Sequence, residues 1–306
     1  MRCNMRKKRT PWQYMKPYLF LLPIYLLMIV FKYIPFGIAI EKSFFNWNGA
    51  NVNQFIGINN YIQAFKDPTF IIGLKNVGVI SIAYILIVLT MPLLAAELLY
   101  AVHSRKKQYV IRTAFTFPMV VPAVVIILLW KWILAGDNGV LNNVLTNMGL
   151  ESLAAPWLGS TKTALGAIIA IGFPWLGSAS LGGLQFLLYY GALQGTSQDM
   201  FEAAEIDGAN ILQRFFKIDI PMLASQMKLT VTLAIINAVQ VFDSVYILTK
   251  GGPGTATITP SVVLYEQGFT YKKMGYSSAI GVIMFAIIMV LTIINQMIMK
   301  NTEKMD

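Results

Sequence analysis

Six stretches of the chain are almost unbroken apolar runs, and Asn, Gly, Lys and Arg return in the connections between them. The runs cover about 18–40, 76–102, 112–134, 163–190, 222–248 and 277–299. A helix needs roughly 20 mostly apolar residues to cross a bilayer, and each run supplies that. In hydrocarbon the backbone must satisfy its own hydrogen bonds, so the runs are predicted to be helices. Membrane strands would show shorter alternating segments, and the sequence has none. The pattern therefore predicts an all-α integral membrane protein: a transmembrane domain over 18–299 with six spans, flanked by tails at 1–17 and 300–306.

Composition agrees with this pattern. Of 306 residues, 56% are hydrophobic and 12% are charged, against about 25% charged in soluble domains. The net charge of +10 does not point to nucleic acid, because the basic residues cluster at the ends of the apolar runs. "MRCNMRKKRT" before "YLFLLPIYLLMIVF" has the shape of a signal peptide. No small-x-small cleavage site follows closely, so the reading is an uncleaved first helix. Counting Lys and Arg in alternate connections gives fourteen on one side (six in 1–17, four in 105–112, Arg214, Lys217, Lys300 and Lys304). The other side has seven (Lys42, Lys66, Lys75, Lys162, Lys250, Lys272 and Lys273). The positive-inside rule then places both termini in the cytoplasm. The outer connections 45–68, 135–162 and 249–260 are rich in Asn, aromatics and turn residues and poor in charge, which suits packing against a partner protein.

No catalytic constellation is present. The chain lacks G-x-x-x-x-G-K-[ST], and "GSTKT" at 159–163 is only an echo of it. One histidine, His103, excludes a His-based metal centre, and one cysteine, Cys3, excludes an intrachain disulfide. The expectation is a protein that is not an enzyme and that holds no metal or cofactor itself.

The acids are unevenly placed. Of 14 Asp and Glu, five (Asp199, Glu202, Glu205, Asp207 and Asp219) fall in the connection 196–221, "TSQDMFEAAEIDGANILQRFFKIDIP". Thr196 or Ser197 suits a helix cap, with Asp199 in the positive first turn. Ala203 and Ala204 favour helix, and Gly208 suits a C′ position with positive φ. Asn210 can open a second short helix, and Pro221 marks the entry to the fifth span. Ile211, Phe215 and Phe216 are expected to tie the element to the bundle. Small alanines and the acids Glu202 and Asp207 suit docking into a groove that carries Arg or Lys. A membrane-surface helix would prefer basic residues.

"EAAEIDGANILQRFFKIDIP" resembles the cytoplasmic loop of permease subunits in binding-protein-dependent ABC importers, whose pattern is E-A-A-x-x-D-G-A followed by a spaced I-x-x-P. Glu202, Ala203, Ala204, Asp207, Gly208, Ala209, Ile218 and Pro221 match it. "YYGALQGTSQDMFEAAEIDGA" and "VFDSVYILTKGGPGTATITPSVVLYEQGF" are similar to the carbohydrate-uptake branch, the maltose- and glycerol-phosphate-type inner-membrane components. Thr196–Ser197 departs from the Ile-Pro of many relatives and substitutes a hydroxyl cap. The resemblance implies a bacterial inner-membrane permease, paired with a second, related permease subunit as a heterodimer. It implies that Glu202, Ala203, Ala204, Asp207, Gly208 and Ala209 form a coupling helix for ATP-binding subunits, which bind the ATP and Mg. It also implies an extracytoplasmic solute-binding protein that delivers a sugar.

A sugar path needs polar groups and aromatic faces inside the bundle. The fourth run offers Trp175, Ser178, Ser180 and Gln185, and the fifth offers Asn237, Gln240, Asp243 and Ser244. On one continuous helix Asn237, Gln240 and Ser244 share a face, and that face is the expected pathway, with Trp175 and Ser178 beside it. Trp175 stands about one turn from the aromatic position usual in the family. Polar residues also glue helices together. Asp243 is expected to make a structural hydrogen bond, and Glu97, Lys131 and Lys32 to pair at the interface. Two alternatives are an ABC permease for a non-sugar solute and an ion-coupled secondary transporter. The latter commonly shows internal repeats and buried titratable groups. No repeat is evident here.

Overall fold

The structure is a computed structural model that describes residues 11–102, 104–171, 180–195, 200, 203–204 and 206–300. Helix α1 (Pro11–Met28) runs through one π turn (Ile29–Tyr33) into α2 (Ile34–Lys42). Together Tyr18–Lys42 is long and apolar enough to cross a membrane, and its side chains are exposed along their length, as suits lipid contact.

The connection that follows contains a feature the hydrophobic pattern did not predict. Strands β1 (Phe45–Trp47) and β2 (Asn53–Phe55) form an antiparallel hairpin with Phe45 opposite Phe55. Asn48 Oδ1 accepts from the amides of Ala50 and Val52 at 3.0 Å each, and Gly49 takes φ +84°, so the turn is built locally. In α3 (Asn59–Lys66), buried Asn60 donates to the carbonyls of Ser43 at 2.8 Å and Phe45 at 2.9 Å.

Helix α4 (Pro68–Val88) starts eight residues before the expected boundary at 76. Asp67 caps it, accepting from the Thr69 amide at 2.9 Å. Lys75 made this stretch look like a connection. Asn76 is in fact engaged within the protein, donating to the Ile258 carbonyl at 2.9 Å. After a break at Leu89–Thr90 the chain continues as α5 (Met91–Tyr100), with Pro92 in its first turn. Thr90 Oγ1 donates back to the Leu86 carbonyl at 2.8 Å, satisfying a group that the break sets free.

The expected third span is not one straight helix. Helices α6 (Arg105–Thr116) and α7 (Ala123–Ile133) are bent by 92°, with a 3-10 turn between them. Pro122 removes a helical hydrogen bond and pushes Val121 into extended backbone, φ −77° and ψ 130°. After α8 (Val140–Asn147), α9 (Ala164–Ala170) stops at Ile171, and α10 (Ser180–Gln194) follows. The expected continuous helix over 163–190 is therefore interrupted, next to the breakers Gly172 and Pro174. Trp175 and Ser178 lie outside the described residues, as do His103 and Cys3.

A short α11 (Ile211–Arg214), a π turn (Phe215–Asp219) and α12 (Ile220–Met222) lead, through a 70° bend, into α13 (Ala224–Val239). The expected fifth span then breaks again, at 240–242, before α14 (Asp243–Leu248). Helix α15 (Pro260–Tyr265), another π turn, and α16 (Met274–Lys300) complete the chain. Among the described residues, three helices are long and apolar enough to cross a membrane, or up to five if each bent pair is one span.

Helix α4 packs against α13 and α15. Ile80, Tyr84 and Val88 meet Ala234 and Ala238, whose small side chains let the backbones approach closely. A second cluster joins Leu93, Ala96 and Leu99 of α5 to Phe186, Tyr189 and Tyr190 of α10. There the Tyr189 hydroxyl donates to the Val88 carbonyl at 3.1 Å and sits 2.6 Å from the Thr230 hydroxyl, bracing the end of α4 at its break.

The uncharged polar loops satisfy themselves more than the sequence suggested. Asn142 donates to the carbonyls of Gly136 and Ala155 and accepts from Trp157 Nε1 at 2.7 Å. Thr259 donates to the Val241 carbonyl at 3.0 Å, at the α13–α14 break. Asn142 thus holds its own loop, and Thr259 ties the 249–260 connection to that break.

Candidate functional site

The break after α13 shapes the first candidate site. Asn237, Gln240, Val241, Phe242, Asp243 and Ser244 line a cavity of about 140 Å³, closed on the other side by Tyr84 of α4 and by Ala123 and Ile127 of α7. Asn237, Gln240 and Ser244 thus meet, but not as one helical face. Helix α13 ends at Val239, and Ser244 belongs to α14. The interruption turns Gln240 and Asp243 toward a common space. Interrupted helices are tolerated at membrane depth where they line a cavity, and here they carry the polar groups into it.

Asn237 Nδ2 already donates to the Leu233 carbonyl at 2.7 Å, which leaves its carbonyl oxygen for a ligand. Gln240 also lines a larger space of about 840 Å³ between α1–α2 and α16, where Lys32, Tyr33 and Phe36 face Met284 and Phe285. It therefore stands between two cavities. Phe242 stacks on Tyr246 at 5.0 Å and packs on Tyr265 at 5.2 Å, so aromatic rings floor the site.

Two residues were missed or misassigned from sequence. Tyr84 stands in an apolar run whose nearest polar residue is Ser81, and only the packing of α4 on α13 brings it to the cavity. Asp243 was expected to make a structural hydrogen bond. It is exposed on the cavity side at the first position of α14, and among the described residues its side chain makes none. Lys131, expected to pair at an interface, donates from Nζ to the Ile247 carbonyl at 2.9 Å, linking α7 to α14.

The second candidate site is the loop before α13. Glu202 lies outside the described residues. Gly208 takes φ +74°, the Asp207 amide donates to the Ala203 carbonyl at 2.9 Å, and the Ala209 amide donates to the Ala204 carbonyl at 3.0 Å. This is a glycine-terminated helix end. Asn210 opens α11 through a reciprocal cap, in which Asn210 Oδ1 accepts from the Gln213 amide at 2.8 Å and Gln213 Oε1 accepts from the Asn210 amide at 2.9 Å. Ala203, Ala204, Asp207 and Ala209 face Gln213 and Lys217 across a concavity of about 500 Å³.

One expectation fails here. Phe215 packs on the α5–α10 cluster, but Ile211 is 79% exposed and Phe216 is 63% exposed. Only one side of so short an element can face the bundle, and Phe215 takes it. Ile206, 86% exposed, and Leu212 extend the outward apolar surface. The loop therefore presents apolar residues as well as the acid Asp207.

Residues 90–304 match the model of the family described as binding-protein-dependent transport system inner membrane component. The chain is 34% identical to a probable ABC transporter permease protein, YurN, of Bacillus subtilis, over 94% of this chain and 97% of that one. It is 30% identical to the sulfoquinovosyl glycerol transport system permease protein SmoG of Agrobacterium fabrum, over 93% and 90%. Its fold is similar to that of a chain in the crystal structure of a bacterial ABC transporter involved in the import of the acidic polysaccharide alginate. There the TM-score is 0.81 and the identity 21%, covering 95% of this chain and 98% of that chain. An apolar helical bundle, interrupted around a polar cavity and carrying this loop, thus belongs to the binding-protein-dependent transport system inner membrane components, as an ABC-transporter permease subunit and not an enzyme.

Proposed function

We propose that this chain is the permease subunit of an importer that moves a sugar or oligosaccharide. The observation that carries this reading is the cavity at the α13–α14 interruption. Asn237, Gln240, Asp243 and Ser244 supply hydrogen-bonding groups there, and Tyr84 and Phe242 supply aromatic rings. Several hydroxyls against ring faces are the usual way a protein holds a saccharide among otherwise apolar walls. Relatives named for sulfoquinovosyl glycerol and for diacetylchitobiose uptake favour the same class of solute.

In this reading the chain spans the bacterial inner membrane six times. Each bent pair counts as one span and 163–190 supplies another, with both termini in the cytoplasm. A second permease subunit completes the path, and an extracytoplasmic binding protein delivers the sugar. Separate ATPase subunits, which hold ATP and Mg, dock on the 199–217 loop. The Gly208 turn, the reciprocal cap at Asn210 and the outward Ile206 and Leu212 make that loop a firm, partly apolar knob, suited to such docking.

The test is reconstitution of the chain with its partner permease, ATPase and binding protein in proteoliposomes. Uptake of labelled oligosaccharide should require ATP and the binding protein. Uptake that runs on an ion gradient without ATP would overturn the proposal.

A further inference from the structure

Three charges are gathered where the loop meets the bundle. Arg214 of α11 lies 3.7 Å from Glu97 Oε2 on α5, and its Nε donates to Asp219 Oδ2 at 3.2 Å. Asp219 is 1% exposed. Glu97 is nearly buried and Arg214 partly so. Glu97 Oε1 and Asp219 Oδ1 are also buried and, among the described residues, have no hydrogen-bond partner. Two carboxylates therefore share one guanidinium in a place sheltered from water.

The local backbone builds the pair. Arg214 and Asp219 are five residues apart, and the segment between them is a π turn closed by the Ile220 amide on the Phe215 carbonyl. That five-residue repeat brings residues at this spacing onto one face, where an α-helix would carry Asp219 past the guanidinium. Glu97, by contrast, comes from α5, more than a hundred residues away in sequence. It is the only acid in the second apolar run.

We infer that Arg214 is a positioning residue that ties the docking loop to α5 through Glu97 and Asp219, so that a displacement of the loop moves α5 with it. Apolar contacts, such as Phe215 against the α5–α10 cluster, tolerate sliding because they have no direction. A sheltered ion pair does not. Its desolvation is offset in one geometry, and sliding would leave a buried charge without its partner. The link reaches a part of the molecule that can respond. Helix α5 begins at the Leu89–Thr90 break, and beyond that break Tyr84 lines the polar cavity. This inference rests on the reading of the loop as the ATPase-docking element.

The test uses the full transporter in proteoliposomes. The neutral combination Arg214→Met, Glu97→Gln and Asp219→Asn removes the charges together and leaves none stranded. The ATPase should still co-purify, while oligosaccharide uptake falls about tenfold, within the usual range of a coupling between sites. Stimulation of ATP hydrolysis by loaded binding protein should be lost. The reversed combination Glu97→Arg, Arg214→Glu and Asp219→Asn restores an ion pair and should recover most of the uptake, which a purely packing role would not predict. Wild-type uptake and stimulation in the neutral variant would overturn the inference. So would a reversed variant no better than the neutral one. If the neutral variant does not accumulate in the membrane, Arg214→Lys and Arg214→Met decide. Uptake kept only by Lys supports the tie, and equal uptake overturns it. Failure of the docking reading shows separately, as normal ATPase recovery with Glu202→Lys and Gly208→Pro.

Discussion

Among single side chains, Asn237 and Gln240 are the clearest candidates for touching solute. Replacing both by alanine removes two amide groups from the cavity at the interrupted helix. At a net 0.5–1.5 kcal/mol per hydrogen bond, uptake should fall by about tenfold with membrane yield unchanged. Unchanged ATP-dependent uptake at normal yield would remove this face from the solute's route. Asn142 provides a structural contrast. It joins Gly136, Ala155 and Trp157 at the centre of its loop. Asn142→Ala should cost about 2 kcal/mol by stranding buried groups, read as a lower unfolding midpoint in detergent, with solute specificity unaltered. Their surroundings in sequence differ, an apolar run for Asn237 and an Asn-rich connection for Asn142, but only the structure shows which groups each one meets.

Among elements, the helices were legible in the sequence and their interruptions were not. Pro122 marks a break that can be read in retrospect. The break at 240–242 has no proline, and it depends on Thr259 and neighbouring helices to satisfy the freed backbone. The loop's second helix is a case where local chemistry suffices. Asn210→Ala should cost about 1 kcal/mol by removing the reciprocal cap, and limited trypsin digestion at Lys217 should then proceed faster than in the parent. An unchanged cleavage rate would show that packing alone holds α11. The contact of α4 with α13 depends on the absence of bulk at Ala238. Ala238→Leu should cost roughly 1–3 kcal/mol by overpacking, measurable as reduced recovery of folded protein from the membrane.

For the molecule as a whole, the proposed function requires that the loop and the cavity belong to one mechanical unit. The docking reading makes its own prediction. Glu202→Lys or Gly208→Pro should abolish co-purification of the ATPase while the chain remains in the membrane. Gly208 is the stronger test, because its φ of +74° is unavailable to proline. Normal ATPase recovery with both variants would remove the loop from the energy-coupling role.

What the amino-acid order determined by itself is the solvent in which the protein lives and the family it belongs to. Apolar runs of membrane length cannot be dissolved in water, and a loop with Gly208 and Asn210 folds on local backbone preferences. What only the tertiary structure decided is which polar groups meet. Tyr84 and Asp243 come to line one cavity through a helix contact, and Glu97 reaches Arg214 across more than a hundred residues. In an apolar bundle the periodic pattern is nearly the same on every face of a helix, so hydrophobicity says that a helix is buried in something without saying against what. The breaks and the close alanine contacts supply that information, and they are satisfied only by neighbours far away in the chain.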